Sequence, residues 1–158
     1  MVGNSTSSDD TLAQVLEKAI AIAARAHRGQ RDKAGAPYIL HPLRVMMQVE
    51  DLEAKIVAVL HDVMEDGPVD EKAAVRALLP VHLLDALLGV TKRPEEEGAE
   101  NYQLFVERAS LNPLSRRVKI ADLEDNLDVK RLRQLEDKDR ERLNRYLAAL
   151  AMLKNLEE

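Results

Sequence analysis

Cysteine and tryptophan are both absent from the 158 residues. Disulfides and thiolate metal sites are therefore excluded, which fits a reducing compartment and makes a cytoplasmic location the expectation. Aromatic residues are scarce: Tyr38, Tyr102, Phe105 and Tyr146 make up the whole set, too few for a platform on which single strands stack. Glycine and proline number six each, so helix breakers are few. No apolar run approaches the roughly 20 residues of a membrane span. The net charge of −5 lacks the basic footprint of nucleic-acid binding, yet leaves room for a small anionic ligand held by local lysines and arginines. The opening M1-V-G-N-S-T-S-S-D-D10 has neither a basic n-region nor an apolar h-region, and reads as a short disordered tail.

What remains is dominated by Ala, Leu, Glu, Lys and Arg, all good helix formers. The chain reads as all-α, with residues 11–158 forming one domain large enough to bury a core without staples. Leu12, Val15, Leu16, Ala19, Ile22, Ala23 and Ala26 recur at helical spacing, predicting a first helix that ends near Arg28. A turn-rich, basic loop follows, G29-Q-R-D-K-A-G-A-P37. A short helix is expected from Pro42. A third, capped by Asp51, should run on to Gly67 and Pro68. Further helices are expected over roughly 70–79, 80–88 and 101–109, with an exposed loop over 91–98. Asn112 and Pro113 look like the cap and first turn of another helix. The last begins near Asp137, with Leu143, Leu147, Leu150 and Met152 as candidates for its buried side.

The stretch V59-L-H-D-V-M-E-D66 sets one histidine and three carboxylates against the most apolar run of the chain, I56-V-A-V-L60. Burying an ionised carboxylate without a partner costs several kcal/mol or more, on the order of the values for unpaired buried charges. A metal ion is the first candidate for compensation. On a continuous helix His61 lines up with Glu65, and Asp62 with Asp66, as one polar stripe. His41 lies at the start of a helix, and Asp122 interrupts Ile120, Ala121 and Leu123. Two imidazoles and two carboxylates suit Mn, Fe, Zn or Co rather than Ca. The bland reading is that a lone His-Asp pair is more often a cap or an exposed helix end. Glu65 and Asp66 then become solvated acids, and Asp122 a buried acid met by an arginine or the backbone. His27 and His82 are assigned to structure.

The segments A26-H-R-G-Q30, G35-A-P-Y-I-L-H-P42, L60-H-D-V-M-E-D66, G89-V-T91 and V118-K-I-A-D-L-E-D-N126 occur in that order. Together they resemble the HD-domain hydrolase of the RelA/SpoT alarmone enzymes, in its stand-alone form, the small alarmone hydrolases. The likeness extends over roughly Leu12 to Leu135 and leaves no room for a synthetase domain. It implies an HD-domain helical bundle holding one divalent metal ion, typically Mn2+, on His41, His61, Asp62 and Asp122. It carries the family's Glu-Asp pair to Glu65 and Asp66 as catalytic residues, and its nucleotide-contacting asparagine to Asn126. The activity implied is metal-dependent hydrolysis of the 3′-diphosphate of ppGpp or pppGpp, giving GDP or GTP and pyrophosphate. A divalent ion lowers the pKa of bound water and polarises the phosphoryl group. Glu65 and Asp66 are the candidates for moving the proton.

Arg31, Lys33, Lys119 and Arg28 are the candidate cations for the phosphates, and Tyr38 is a candidate contact for base or sugar. The family reads arginine-lysine where this chain has Asp32-Lys33, and that arginine contacts the purine. Either a guanine-selective contact is lost, and the adenine analogues ppApp and pppApp join the guanine nucleotides as expected substrates, or Arg31 reaches the base instead. Glu124, Asp125 and Val129 also depart from the commoner pattern. The competing readings are another HD-type nucleotide phosphohydrolase, resembling a 5′-nucleotidase, and an inactive nucleotide-binding module. The expected partner is a small nucleotide, with neither nucleic acid nor membrane; monomer and homodimer are both left open.

Overall fold

The computed structural model describes residues 8–158, and it is all-helical. Nine α-helices are found among these residues: α1 (Ser8–Ala26), α2 (Leu40–Met47), α3 (Leu52–Leu60), α4 (Val63–Asp66), α5 (Val69–Leu78), α6 (Val81–Gly89), α7 (Tyr102–Ser110), α8 (Pro113–Asn126) and α9 (Asp137–Asn155). Helix α1 already includes Ser8 to Asp10, which the sequence had given to the tail; the rest of that tail lies outside the described residues. Asp9 and Asp10 suit this position, because acids in a first turn face the positive end of the helix dipole.

Helix α3 sits at the centre, packed against α1, α2, α6 and α8. Every residue from Ile56 to Leu60 has zero exposure, as expected of a helix that is apolar all round. Its start is fixed as the sequence suggested, with the Asp51 carboxylate accepting from the Ala54 N–H at 2.8 Å. Asn112 caps α8 in the same way, accepting from Leu114 and Ser115.

Helix α8 serves two apolar clusters at once. Val118 and Ala121 join the main core, while Leu123 packs with Val106, Ala149 and Leu153 from α7 and α9. At its other crossing, α8 lies hard against α6. A Cβ on Gly89 would fall 2.2 Å from the Ser115 hydroxyl oxygen, so only glycine permits this approach.

Three expectations need correction. The helix predicted from Asp51 to Gly67 is broken at His61 and Asp62, for a reason given below. The 91–98 loop is not simply exposed: it contains a 3-10 turn, Pro94–Glu96, whose Glu96 is buried. Leu147 is 54% exposed, and α9 buries Ala149 and Leu153 instead.

The buried Glu96 pins the loop down. Its carboxylate accepts from Arg108 Nε at 2.6 Å and Nη2 at 2.8 Å, and Arg108 also donates to the Leu88 and Thr91 carbonyls. Hydrogen bonding to Arg108 holds the Glu96 carboxyl below its ordinary value. A carboxylate depressed in the folded state adds stability above its unfolded pKa of about 4.3, and that increment is lost as the pH falls through the folded value. Thermal melts should therefore show Glu96→Gln destabilised at neutral pH by about 1.5–3 kcal/mol, the usual net worth of a hydrogen bond to a charged group. Its melting temperature should also fall less steeply than the wild type's below about pH 4. Parallel curves would remove the ion pair from the account.

Candidate metal centre and its cavity

The interruption between α3 and α4 is built by His61 itself. Its backbone N–H bonds to Ala58 O, three residues back, and its ring Nδ1 donates to the same carbonyl at 2.7 Å. The helix tightens there and restarts at Val63. The ring is buried, and its Nε2 faces inward, 3.2 Å from Nε2 of His41.

His41 stands in the first turn of α2, which starts at Leu40 rather than at Pro42. Its Nδ1 is 2.6 Å from Asp125 Oδ2. In both histidines the Nδ1 proton is thus directed to an acceptor, leaving each Nε2 lone pair free. Two carboxylate oxygens complete the group. Asp122 Oδ1 lies 3.1 Å from His41 Nε2 and 3.4 Å from His61 Nε2, and Asp62 Oδ2 lies 3.7 and 3.1 Å from the same two atoms. Ligand atoms set tetrahedrally at about 2.1 Å from an ion are about 3.4 Å apart. Four electron-pair donors at these separations fit one divalent cation, and without a cation or a shared proton they repel.

The surrounding groups hold the four in place. Asp122 Oδ2 accepts from Lys119 Nζ at 2.8 Å, and its Oδ1 from Asn126 Nδ2 at 2.8 Å. Lys119 is buried and also sits over the Phe105 ring at 4.7 Å. Burial alone would lower its pKa, but Asp122 more than offsets this and raises it. Tyr38 donates its hydroxyl to Asp62 Oδ2 at 2.5 Å; burial, then Asp62, pushes the phenol pKa up, so it remains a donor.

Glu65 and Asp66 follow one turn later. Asp62, Glu65 and Asp66 each offer an oxygen within 4.8 Å of the others. Glu65 Oε1 accepts from the Lys92 N–H at 2.5 Å, which ties it to the loop that Glu96 and Arg108 pin. Burial is the largest influence on Glu65 and raises its pKa, with the Lys92 amide opposing. Asp66 is exposed on the rim.

These residues open onto a cavity of about 470 Å3, well within the range of small-molecule sites. Arg31, Lys33, Tyr38, Lys119 and Asn126 all line it, whereas Arg28 does not. Sequence reasoning missed its other cations, Arg44, Lys92, Arg131 and Arg142. All four aromatic residues of the chain also face it. Tyr102, Phe105 and Tyr146 form one wall, with ring centroids 5.6 to 6.3 Å apart. Asp32 lines the cavity too, but its Oδ1 accepts from the Ala34 and Ala36 N–H groups, both at 2.9 Å. Its carboxylate thereby shapes the basic loop. His27 is buried against the Tyr38 ring, and His82 pairs at the surface with Glu53; neither lines the cavity.

Known proteins resemble the chain in sequence and in fold. No family model matches the chain. It is 30% identical over 123 residues to a guanosine-3′,5′-bis(diphosphate) 3′-pyrophosphohydrolase of Aquifex aeolicus, a match spanning 73% of this chain and 18% of that protein. A protein of the same name from Borreliella burgdorferi is 35% identical over 91 residues, 55% of this chain and 14% of its own length. A GTP pyrophosphokinase of Streptomyces coelicolor is 33% identical over 157 residues, 91% of this chain and 18% of its own length. The chain is a homologue of one segment of these alarmone enzymes. It spans less than a fifth of the length of these curated relatives. The fold is that of a solved metazoan SpoT orthologue, described as hydrolysing ppGpp, with a TM-score of 0.74 at 23% identity over 88% of this chain and 84% of that one. The family resemblance and all-helical class read from the sequence are thereby borne out. No helix among the described residues is long and apolar enough to cross a membrane.

The Tyr38 bond generates a test. Tyr38→Phe removes the donor that orients Asp62, and should weaken Mn2+ binding by about 10-fold or more, the usual scale for losing an outer hydrogen bond to a ligand. Titration against a competing chelator measures this. Unchanged affinity would return Tyr38 to a purely ligand-facing or core role.

Proposed function

We propose that the chain is a metal-dependent 3′-pyrophosphohydrolase of alarmone nucleotides, cleaving ppGpp or pppGpp to GDP or GTP and pyrophosphate. The observation that carries this reading is the convergence of His41, His61, Asp62 and Asp122 beside Glu65 and Asp66, at one end of a cavity rich in cations. The homologous enzymes named for this reaction support the choice of substrate.

His41, His61, Asp62 and Asp122 hold one divalent ion, for which we assign Mn2+; the two-nitrogen, two-oxygen set suits a first-row transition ion. Such an ion supplies an acidified water and a Lewis acid for the phosphoryl oxygens. Hydrolysis breaks the bond between the ribose 3′-oxygen and phosphorus. One proton must leave the attacking water and one must reach the ribose oxygen. Glu65 is the group for this traffic, because its Oε1 is held by the Lys92 amide while burial favours its protonated form. Asp66 at the rim is the second proton carrier. Lys119, Arg31 and Lys33 meet the phosphate charge, and Tyr38 and Asn126 border the nucleotide. Position 32 offers the base no guanidinium, so ppApp and pppApp are cleaved at efficiencies comparable with those of the guanine forms.

Purified protein given Mn2+ and ppGpp should release GDP and pyrophosphate, and ppApp should yield ADP and pyrophosphate. Glu65→Gln and Asp66→Asn should retain the metal while turnover falls by about 10²-fold, the usual scale for lost acid-base help. Release of orthophosphate from nucleoside 5′-monophosphates, with both alarmones left intact, would contradict the assignment.

A further inference from the structure

Asp125 is 3% exposed, and both of its carboxylate oxygens are engaged. Oδ2 meets His41 Nδ1 at 2.6 Å. Arg44 donates to both oxygens, Nε to Oδ1 at 2.7 Å and Nη2 to Oδ2 at 3.0 Å. Arg131 approaches both oxygens at 3.5 Å and donates to the Asp125 carbonyl at 3.0 Å.

The two imidazoles of the metal centre are therefore held differently. His61 donates to a neutral backbone carbonyl, whereas His41 donates to a full charge locked by a two-pronged arginine. A charged acceptor on Nδ1 fixes the tautomer and makes Nε2 a stronger donor toward a cation. The placement follows from helical spacing. His41 and Arg44 share one face of α2, Asp122 and Asp125 share one face of α8, and the two faces oppose each other.

We propose that Asp125, clamped by Arg44, is a positioning residue that sets the tautomer and basicity of His41 and thereby the affinity of the centre for its metal ion. This rests on the four-ligand site described above but not on the choice of nucleotide, so failure of the alarmone assignment would leave it standing. Asp125 touches neither the ion nor the substrate. Its effect runs through His41, and no other carboxylate of the described residues reaches that nitrogen within hydrogen-bonding distance.

The test compares wild type, Asp125→Asn, Asp125→Ala and, as a control for lost stability, Asp51→Ala, which removes the α3 cap at the end of that helix away from His61. Mn2+ affinity is measured by competition with a chelator on the full chain, and the His41 tautomer by 15N chemical shifts of the metal-free protein. Both Asp125 variants should bind Mn2+ about 10- to 100-fold more weakly, with Asp125→Asn the milder because its amide oxygen can still accept from Nδ1–H. Asp51→Ala should bind as wild type does. In Asp125→Ala the His41 nitrogens should shift toward a mixture of tautomers. If that variant does not fold, Asp125→Asn against Asp51→Ala decides. Wild-type affinity in the Asp125 variants, or an equal loss in Asp51→Ala, would overturn the proposal.

Discussion

The fold is organised around a crowding that the chain alone would oppose: two imidazole nitrogens 3.2 Å apart, with an oxygen of Asp62 and one of Asp122 each 3.1 to 3.7 Å from both. A bound cation turns this repulsion into attraction. The four come from three places. His41 comes from the first turn of α2, His61 and Asp62 from the break after α3, and Asp122 from the buried side of α8.

Rigidity in the supporting layer follows from where the acids are placed. Lys119 and Asn126 each give a hydrogen bond to Asp122, and Tyr38 gives one to Asp62. The apolar core holds α3 on every side, so the break at His61 is located by packing as well as by its own hydrogen bonds. On the far side, Arg108 and Glu96 fix the loop whose Lys92 amide holds Glu65. The Glu96–Arg108 pair thus positions Glu65 at the cavity through backbone rather than side chain.

Much of this was legible in the sequence. The caps at Asp51 and Asn112, the helical class and the four candidate ligands follow from residue type, spacing and family motifs. The break at His61 was not legible, because the apolar pattern runs through it; only the His61 side chain bonding to Ala58 O interrupts the helix. Asp125 stood beside Glu124, and the sequence marked both only as departures from the commoner family pattern. Glu124 is indeed exposed and paired with Lys154, while Asp125 points inward, and its spacing of three from Asp122 was the available signal. Glu96 was hidden within a run of acids whose neighbours are solvated. The aromatic residues looked too few for a single-strand platform, and only Tyr38 was read as a site residue, yet the tertiary fold gathers all four at one cavity.

The central claim is that the chain holds one divalent ion on His41, His61, Asp62 and Asp122, and elemental analysis tests it most directly. Protein loaded with Mn2+ and then freed of unbound metal should carry close to one ion per chain, while His61→Ala and Asp122→Ala should carry almost none. A wild type that retains no metal, or variants that retain as much as the wild type, would contradict the account.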